Sequence, residues 1–348
     1  MSPPAPRTDD ATVWPVEAWR GFAAWMVVYA HYWSGAAGSW PLLRFSFTGV
    51  DLFFVLSGFV FAPYFFDKPL PTRAFAVRRF FRIYPAYLLA LAIYFAMKWS
   101  SGQDLLYGWQ HLVFAYLQSR EMAFYYNPVF WSLPSEVEFY LLLPLLSWFC
   151  RGRMKRFVTL VLVALALRMF VGYASDSQAQ NPAYIWMHHL PGMLVEFLLG
   201  ACAWWLSRRP MSGGQRALLM ASGASLWLIL AACFAVAGDA GINAGLARGQ
   251  LSWIAALAFA ALVAASVNTS PRVPQAVVAV SVWAGRLSYG SYLFHIAALR
   301  LLQPYSEVIG QLNVTLAAAG LTLALAWVGY RFWEDPWRRL GRGLAATF

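Results

Sequence analysis

The sequence predicts an all-α polytopic membrane helix bundle of about ten transmembrane helices with both termini cytoplasmic, on three observations. Of 348 residues, 60% are hydrophobic, 18% aromatic and only 12% charged. Mean hydropathy is +0.53, well above that of a soluble chain this long. The apolar residues fall in long runs, and the basic residues stand in short clusters between them. A formal charge of +11 distributed in this way orients a membrane protein, so no nucleic-acid partner is expected. The 3 cysteines, Cys150, Cys202 and Cys233, lie within or at the ends of apolar runs at uneven spacing. They form neither a disulfide framework nor a zinc pattern.

The spans follow from the runs and their flanks. Residues 1–10 lack a cleavable signal, so the first run, Arg20–Trp33, is a retained anchor. Phe47–Phe66 ends at Asp67-Lys68-Pro69, and Ile83–Trp99 is entered through Arg78-Arg79-Phe80-Phe81-Arg82. Phe130–Cys150 carries Pro134 and Pro144, which bend a helix. Phe157–Tyr173, His189–Ser207, Ala217–Ala237, Leu251–Val267, Val280–Leu302 and Leu312–Phe332 complete the set. Leu105–Gln118 is too short and polar to span and reads as an interfacial or re-entrant helix. With a cytoplasmic N-terminus, the clusters around Arg79, Arg153, Arg208, Arg272 and Arg338 all fall inside. Arg44, Lys98, Arg120, Arg248 and Arg300 fall outside. No internal repeat is visible, and residues 1–348 read as one integral-membrane domain with no appended soluble domain.

Polar residues inside these runs mark the candidate site. Arg20 and His31 stand eleven positions apart, about three turns, so they share one helix face about 16 Å apart along the axis. A guanidinium at the boundary below an imidazole suits a site that holds an anion at one level and moves a proton at another. At 1.5 Å per residue, Ser57, Tyr140, Glu196 and His295 come out about 14–18 Å above their cytoplasmic ends, and Asp51 and Glu136 about 22–24 Å. Ser57 and Tyr140 also suit plain interhelical hydrogen bonds. The carboxylates need partners or protonation. Arg168, four residues from the outer end of its span, is expected to snorkel. His188 and His189 would point about 100° apart on a helix, so no metal site is expected. Arg79 and Arg82, at i and i+3, can face one spot, and phosphate is the natural guest of such a fork.

These residues sit in motifs that resemble one family. They are the Arg20/His31 pattern, GVDLFFVLSGF at Gly49–Phe59, Arg79/Arg82 followed by Ile83-Tyr84-Pro85, and WSLPSEVEFY at Trp131–Tyr140. EFLLG at Glu196–Gly200, SYGSYLFH at Ser288–His295 and EDPWRR at Glu334–Arg339 complete the order. Together they resemble the integral-membrane acyltransferase 3 family across nearly the whole chain. The resemblance implies O-acyl transfer from acyl-CoA, most often acetyl-CoA, to a hydroxyl of a sugar, glycan or other small acceptor. It implies that Arg20, Arg79 and Arg82 serve the donor and that His31 acts in catalysis. Two departures stand out: Glu138 occupies a position where the family usually has Gln, and Pro134-Ser135 replaces Ser-Val.

Combining both lines gives a working mechanism. Acyl-CoA docks from the cytoplasm on Arg20, Arg79 and Arg82, and its arm presents the thioester near His31. His31 is the general base on the acceptor hydroxyl, and Asp51 or Glu136 orients its ring. Direct transfer is preferred to an acyl-histidine. Ser57, Tyr140, Glu196 and His295 support the site, no metal is required, and a bacterial inner membrane is the expected location. A proton-coupled transporter or polysaccharide exporter is the alternative, since it too would carry midplane Asp, Glu and His. The outer loops Ser34–Phe47, Ser100–Phe130, Ser175–His188 and Gly238–Gln250 are the expected acceptor pocket.

Overall fold

A computed structural model describes residues 14–33, 41–175, 185–242, 250–267 and 273–348. Its main helices are α1 (Trp14–Trp33), α2 (Gly49–Phe61), α3 (Thr72–Ser100), α4 (Ser132–Cys150), α5 (Met154–Ala174), α6 (Leu190–Ser207), α7 (Gly213–Ile242), α8 (Leu251–Ser266), α9 (Gln275–Leu302), α10 (Gln311–Gly329) and α11 (Asp335–Ala345). No strand occurs among the described residues. Each predicted apolar run lies in helical structure. Among the described residues, 5 helical segments are long and apolar enough to cross a membrane, including α3, α5 and α6. α1, α4 and α9 fall outside that group, and these are the helices diluted by Arg20 and His31, Glu136 and Glu138, and Ser288 and His295.

Several helices begin earlier than their apolar runs. α1 starts at Trp14, with Pro15 in its first turn where a missing N–H is harmless, so Arg20 sits in the second turn. α3 starts at Thr72 after Pro71, which places Arg79 and Arg82 well inside the helix. Hydropathy marks only the lipid-like part of a helix, whereas backbone hydrogen bonding continues through its polar flank.

Packing brings distant faces together through small residues. α1 lies along α9, α2 along α6, α7 along α8, and α10 along α9. Gly21 meets Ala284 and Gly285 meets Glu17 at the α1–α9 crossing, while Gly58 meets Phe197 and Gly200 meets Val55 at the α2–α6 crossing. Close backbone approach of this kind holds helices together where lipid competes for every apolar contact. Buried hydroxyls lock the register: Tyr32 donates to the His295 carbonyl at 2.9 Å and sits 2.6 Å from the Thr322 hydroxyl, tying α1 to α9 and α10. Tyr94 of α3 donates to the Leu293 carbonyl at 3.0 Å and accepts from the Ala297 N–H at 3.1 Å. That hydroxyl bridges the two groups, four residues apart, that an α-helix joins directly, on the turn carrying His295.

Three expectations are corrected. Arg168 does not snorkel: it is 1% exposed, donates to the Gly192 carbonyl at 2.8 Å, and bonds the Ser252 hydroxyl. Inward acceptors on α6 and α8 outcompete the membrane surface for its donors. Leu105–Gln118 is not a continuous helix: only Gly108–Leu112 is helical, bounded by left-handed Tyr107 and Phe114. It packs by burying His111, whose ring stacks on Tyr116 at 4.0 Å. His188 and His189 lie in a turn ahead of α6 rather than on a helix. Among the described residues no metal-binding cluster of His, Cys, Asp or Glu occurs. Arg248 and Arg272, and parts of the loops Ser34–Phe47, Ser175–His188 and Gly238–Gln250, lie outside the described residues.

Candidate active site

One cavity collects most of the predicted site. Arg20 of α1, Ser57 of α2, Arg79 and Arg82 of α3, and Glu136 and Tyr140 of α4 line it, with Ser288, Tyr289 and Tyr292 of α9. Helical spacing explains each contribution: Arg79 and Arg82 are one turn apart on α3, and Glu136 and Tyr140 one turn apart on α4. Apart from Ser132 of α4, the remaining wall is apolar, including Phe53, Phe54, Leu56 and Val60 of α2. Charges set in such a wall act through a low local dielectric and gain strength toward a polar guest.

The three guanidinium groups are held differently. Arg20 pairs with Glu17 at 2.8 Å on its own helix. Arg79 lies over the rings of Phe61, Phe75 and Tyr140 at 5.1, 5.8 and 5.9 Å, and its buried Nε has no hydrogen-bond partner among the described residues. Arg82 lies within electrostatic reach of Glu334, Tyr140, Glu17 and Glu136. An orphaned buried donor beside two further cations is a seat shaped for an anion or a strongly polar acceptor.

Glu136 serves the cavity wall. Its Oε1 accepts from the Ser57 hydroxyl at 3.1 Å and from the Tyr140 hydroxyl. Three sequence-predicted residues are therefore brought into one hydrogen-bonded group.

His31 belongs to a different layer. It is half-buried in the last turn of α1, and its Nδ1 meets the Val27 carbonyl at 2.9 Å. A carbonyl only accepts, so Nδ1 carries a proton. The orienting acceptor is thus the backbone of α1, in the place the sequence reading gave to Asp51 or Glu136. The His295 ring centre lies 5.1 Å away. His295 Nδ1 likewise meets backbone carbonyls, those of Ser291 at 3.1 Å and Tyr292 at 2.9 Å, and its buried Nε2 has no partner among the described residues. Two imidazoles, each with Nδ1 turned to backbone carbonyls of its own helix, thus stand together. Tyr292, a cavity-wall residue, has its ring centre 6.3 Å from that of His295. His31 itself is not on the cavity wall; the layer Tyr292–His295–His31 connects it.

Asp51 and Glu196 are placed elsewhere. Both are buried, at 5% and 0% exposure, and both lie within electrostatic reach of Arg168. Neither lines the cavity. With Arg168 they form a buried polar cluster between α2, α5 and α6, away from the arginines of α1 and α3.

Sequence reasoning missed the role of Glu138. Its Oε1 lies 2.5 Å from His189 Nδ1, while His189 Nε2 lies 2.8 Å from the Leu117 carbonyl. The Leu190 N–H donates to Glu138 Oε2 at 2.7 Å, satisfying an orphan donor at the start of α6. Acceptors at both ring nitrogens favour the doubly protonated ring of His189. The adjacent His188-His189 and the unusual Glu138 were the available signals, but nothing local links them.

Comparison with known proteins agrees with the motif reading. A model of the acyltransferase domain (acyltransferase 3) matches residues 15–331. "Nodulation protein 10" of Rhizobium leguminosarum bv. viciae is 31% identical over 180 residues, 44% of this chain and 48% of the relative. "Putative acetyltransferase ORF330" of Acidianus two-tailed virus is 29% identical over 153 residues, 44% of this chain and 45% of the relative. The matched regions thus span about half the length of each curated relative. No solved structure matches the chain. With the family model covering nearly every helix that builds the cavity, the chain belongs to the acyltransferase 3 family.

Proposed function

We propose that this protein is a membrane-embedded O-acyltransferase. It moves an acyl group, acetyl in the first instance, from cytoplasmic acyl-CoA to a hydroxyl of a sugar, glycan or other small acceptor. The observation that carries the reading is the convergence of Arg20, Arg79 and Arg82, from two helices, on one otherwise apolar cavity that also holds Ser57, Glu136 and Tyr140. A phosphate-bearing donor with a long, largely apolar arm matches that combination, and a transporter has no use for a triple cationic seat at one end. The reading takes ten spans with both termini cytoplasmic and residues 1–348 as one membrane domain, in a bacterial inner membrane. The ion pair of Asp67 with Arg208 supports it by joining the loop after α2 to the end of α6.

In the proposed reaction the donor phosphates bind at Arg20, Arg79 and Arg82, and the arm runs past Ser57, Glu136 and Tyr140 toward Tyr292. His31 Nε2 takes the proton of the acceptor hydroxyl, whose oxygen attacks the thioester carbonyl carbon. The C–S bond breaks, and the departing thiolate receives the proton from the imidazolium. A second reading is favoured by Glu136 standing on the cavity wall while His31 does not: Glu136 takes the proton and His31 holds the acceptor. His31→Ala and Glu136→Gln in purified protein separate the two. Loss of transfer by His31→Ala with CoA binding retained is expected, whereas turnover retained in His31→Ala and lost in Glu136→Gln reverses the assignment. Acceptor identity is reached by mass spectrometry of envelope glycans and small metabolites labelled with acetate, with and without the chain.

A further inference from the structure

A second opening lies beyond the cavity, at the end of α1 away from His31. Its wall carries seven guanidinium groups against the two carboxylates of Glu17 and Asp335. Arg20 and Arg82 line both spaces, so the two openings meet at these side chains. Its volume, about 610 Å³, falls within the roughly 300–1,000 Å³ typical of small-molecule clefts.

The C-terminal segment builds this vestibule. A π-helical turn at Tyr330–Glu334 joins α10 to α11. α11 then packs on α3, with Gly341 against Phe81, Trp337 stacked on Phe81 at 5.9 Å, and Trp333 Nε1 donating to the Pro85 carbonyl at 2.8 Å. Asp335, Arg338, Arg339 and Arg342 follow i, i+3, i+4 and i+7, so one face of α11 turns its charges into the space. Some of that charge is neutralised: Arg338 pairs with buried Glu334 at 3.3 Å, Arg339 with Asp335 at 2.6 Å, and Arg20 with Glu17. Arg82, Arg286, Arg331 and Arg342 make no ion pair among the described residues. Trp283 also lines the space, 44% exposed, with the Arg286 guanidinium 5.5 Å from its ring centre. Guanidinium groups outside any ion pair beside a partly exposed indole match a ligand with several phosphate charges and a flat heteroaromatic ring. A lipid headgroup supplies the charge but not the ring.

We infer that this vestibule seats the nucleotide end of the donor. The purine stacks on Trp283, the diphosphate lies at the shared Arg20 and Arg82, and the 3′-phosphomonoester is read by Arg286 and Arg342. The inference rests on the proposed acyl-CoA donor and adds a specific site for the 3′-phosphate. Equilibrium binding to the purified full chain in phosphatidylcholine nanodiscs tests it, with CoA and 3′-dephospho-CoA as probes. Wild-type protein is expected to bind CoA about tenfold more tightly than 3′-dephospho-CoA. Arg286→Gln and Arg342→Gln, both at exposed positions, are expected each to weaken CoA about tenfold and 3′-dephospho-CoA far less. Trp283→Ala should weaken both probes, and Arg209→Gln, which lies off this wall, neither. Equal affinity of wild-type protein for the two probes overturns the vestibule assignment while leaving the donor reading intact. Absence of any CoA binding overturns both. In phosphatidylglycerol nanodiscs, a change in lipid retention by Arg286→Gln and Arg342→Gln without a change in CoA affinity makes the occupant a lipid headgroup and overturns the inference.

Discussion

Gly58→Ala tests whether the α2–α6 crossing positions the cavity wall. A Cβ added at Gly58 would overlap the Phe197 carbonyl oxygen and lie 2.6 Å from its carbonyl carbon and 2.9 Å from its Cα. Ordinary contacts need about 3.5 Å, so the helices must part by more than about 1 Å, and the obstacle is backbone that no rotamer change relieves. Overpacking of this kind costs about 1–3 kcal/mol, occasionally more. The displacement falls next to Ser57, whose hydroxyl is 3.1 Å from Glu136 and has little room to move before that bond is lost. Gly320→Ala is the matched control, because a Cβ there meets nothing within 4 Å. Thermal unfolding in nanodiscs, combined with donor KM, reads both consequences. Gly58→Ala should unfold at lower temperature and show weakened donor use, and Gly320→Ala should do neither. Wild-type stability and KM in Gly58→Ala would refute the claim that this contact sets the wall.

Two further predictions concern buried charge. Arg168→Met should destabilise the protein by about 3–5 kcal/mol, because it strands acidic groups in the cluster. The Arg168→Met/Glu196→Gln double variant should lose less, as measured by denaturant unfolding in the same nanodiscs; equal losses would show that the cluster is not coupled. The second concerns His189, in the turn ahead of α6. Burial lowers its pKa, but the hydrogen bond to Glu138 and its charge outweigh this, leaving the group above its ordinary 6.5. A raised folded-state value means that the stabilisation is fully present below about 6.5 and disappears as pH rises through the folded value. Melting temperature should therefore fall across that interval in wild-type protein, and His189→Gln should flatten the dependence; parallel curves would remove His189 from the account.

Helix periodicity is local, and what depends on it was legible in the chain. The shared face of Arg20 and His31, the Arg79/Arg82 fork and the one-turn spacing of Glu136 and Tyr140 need no tertiary information, because 3.6 residues per turn fixes which side chains neighbour one another. Apolar runs likewise located the helices, since a membrane leaves a segment little other way to satisfy its backbone. Which faces meet is another matter, because it depends on where backbones can approach. The Gly58–Phe197 and Gly200–Val55 contacts seat α2 against α6, and with them Asp51 and Glu196 join Arg168 in a cluster of their own. Glu136 turned to Ser57 and Tyr140, and a carbonyl of α1 took the place expected for a carboxylate on His31. The basic tail, read in sequence as an orienting charge and a family motif, became a wall once the turn at Tyr330–Glu334 laid α11 along α3. Composition and period determined the helices and the faces that carry chemistry; close packing between segments far apart in the chain decided which of those faces share a cavity, because steric contact has no signature in local sequence.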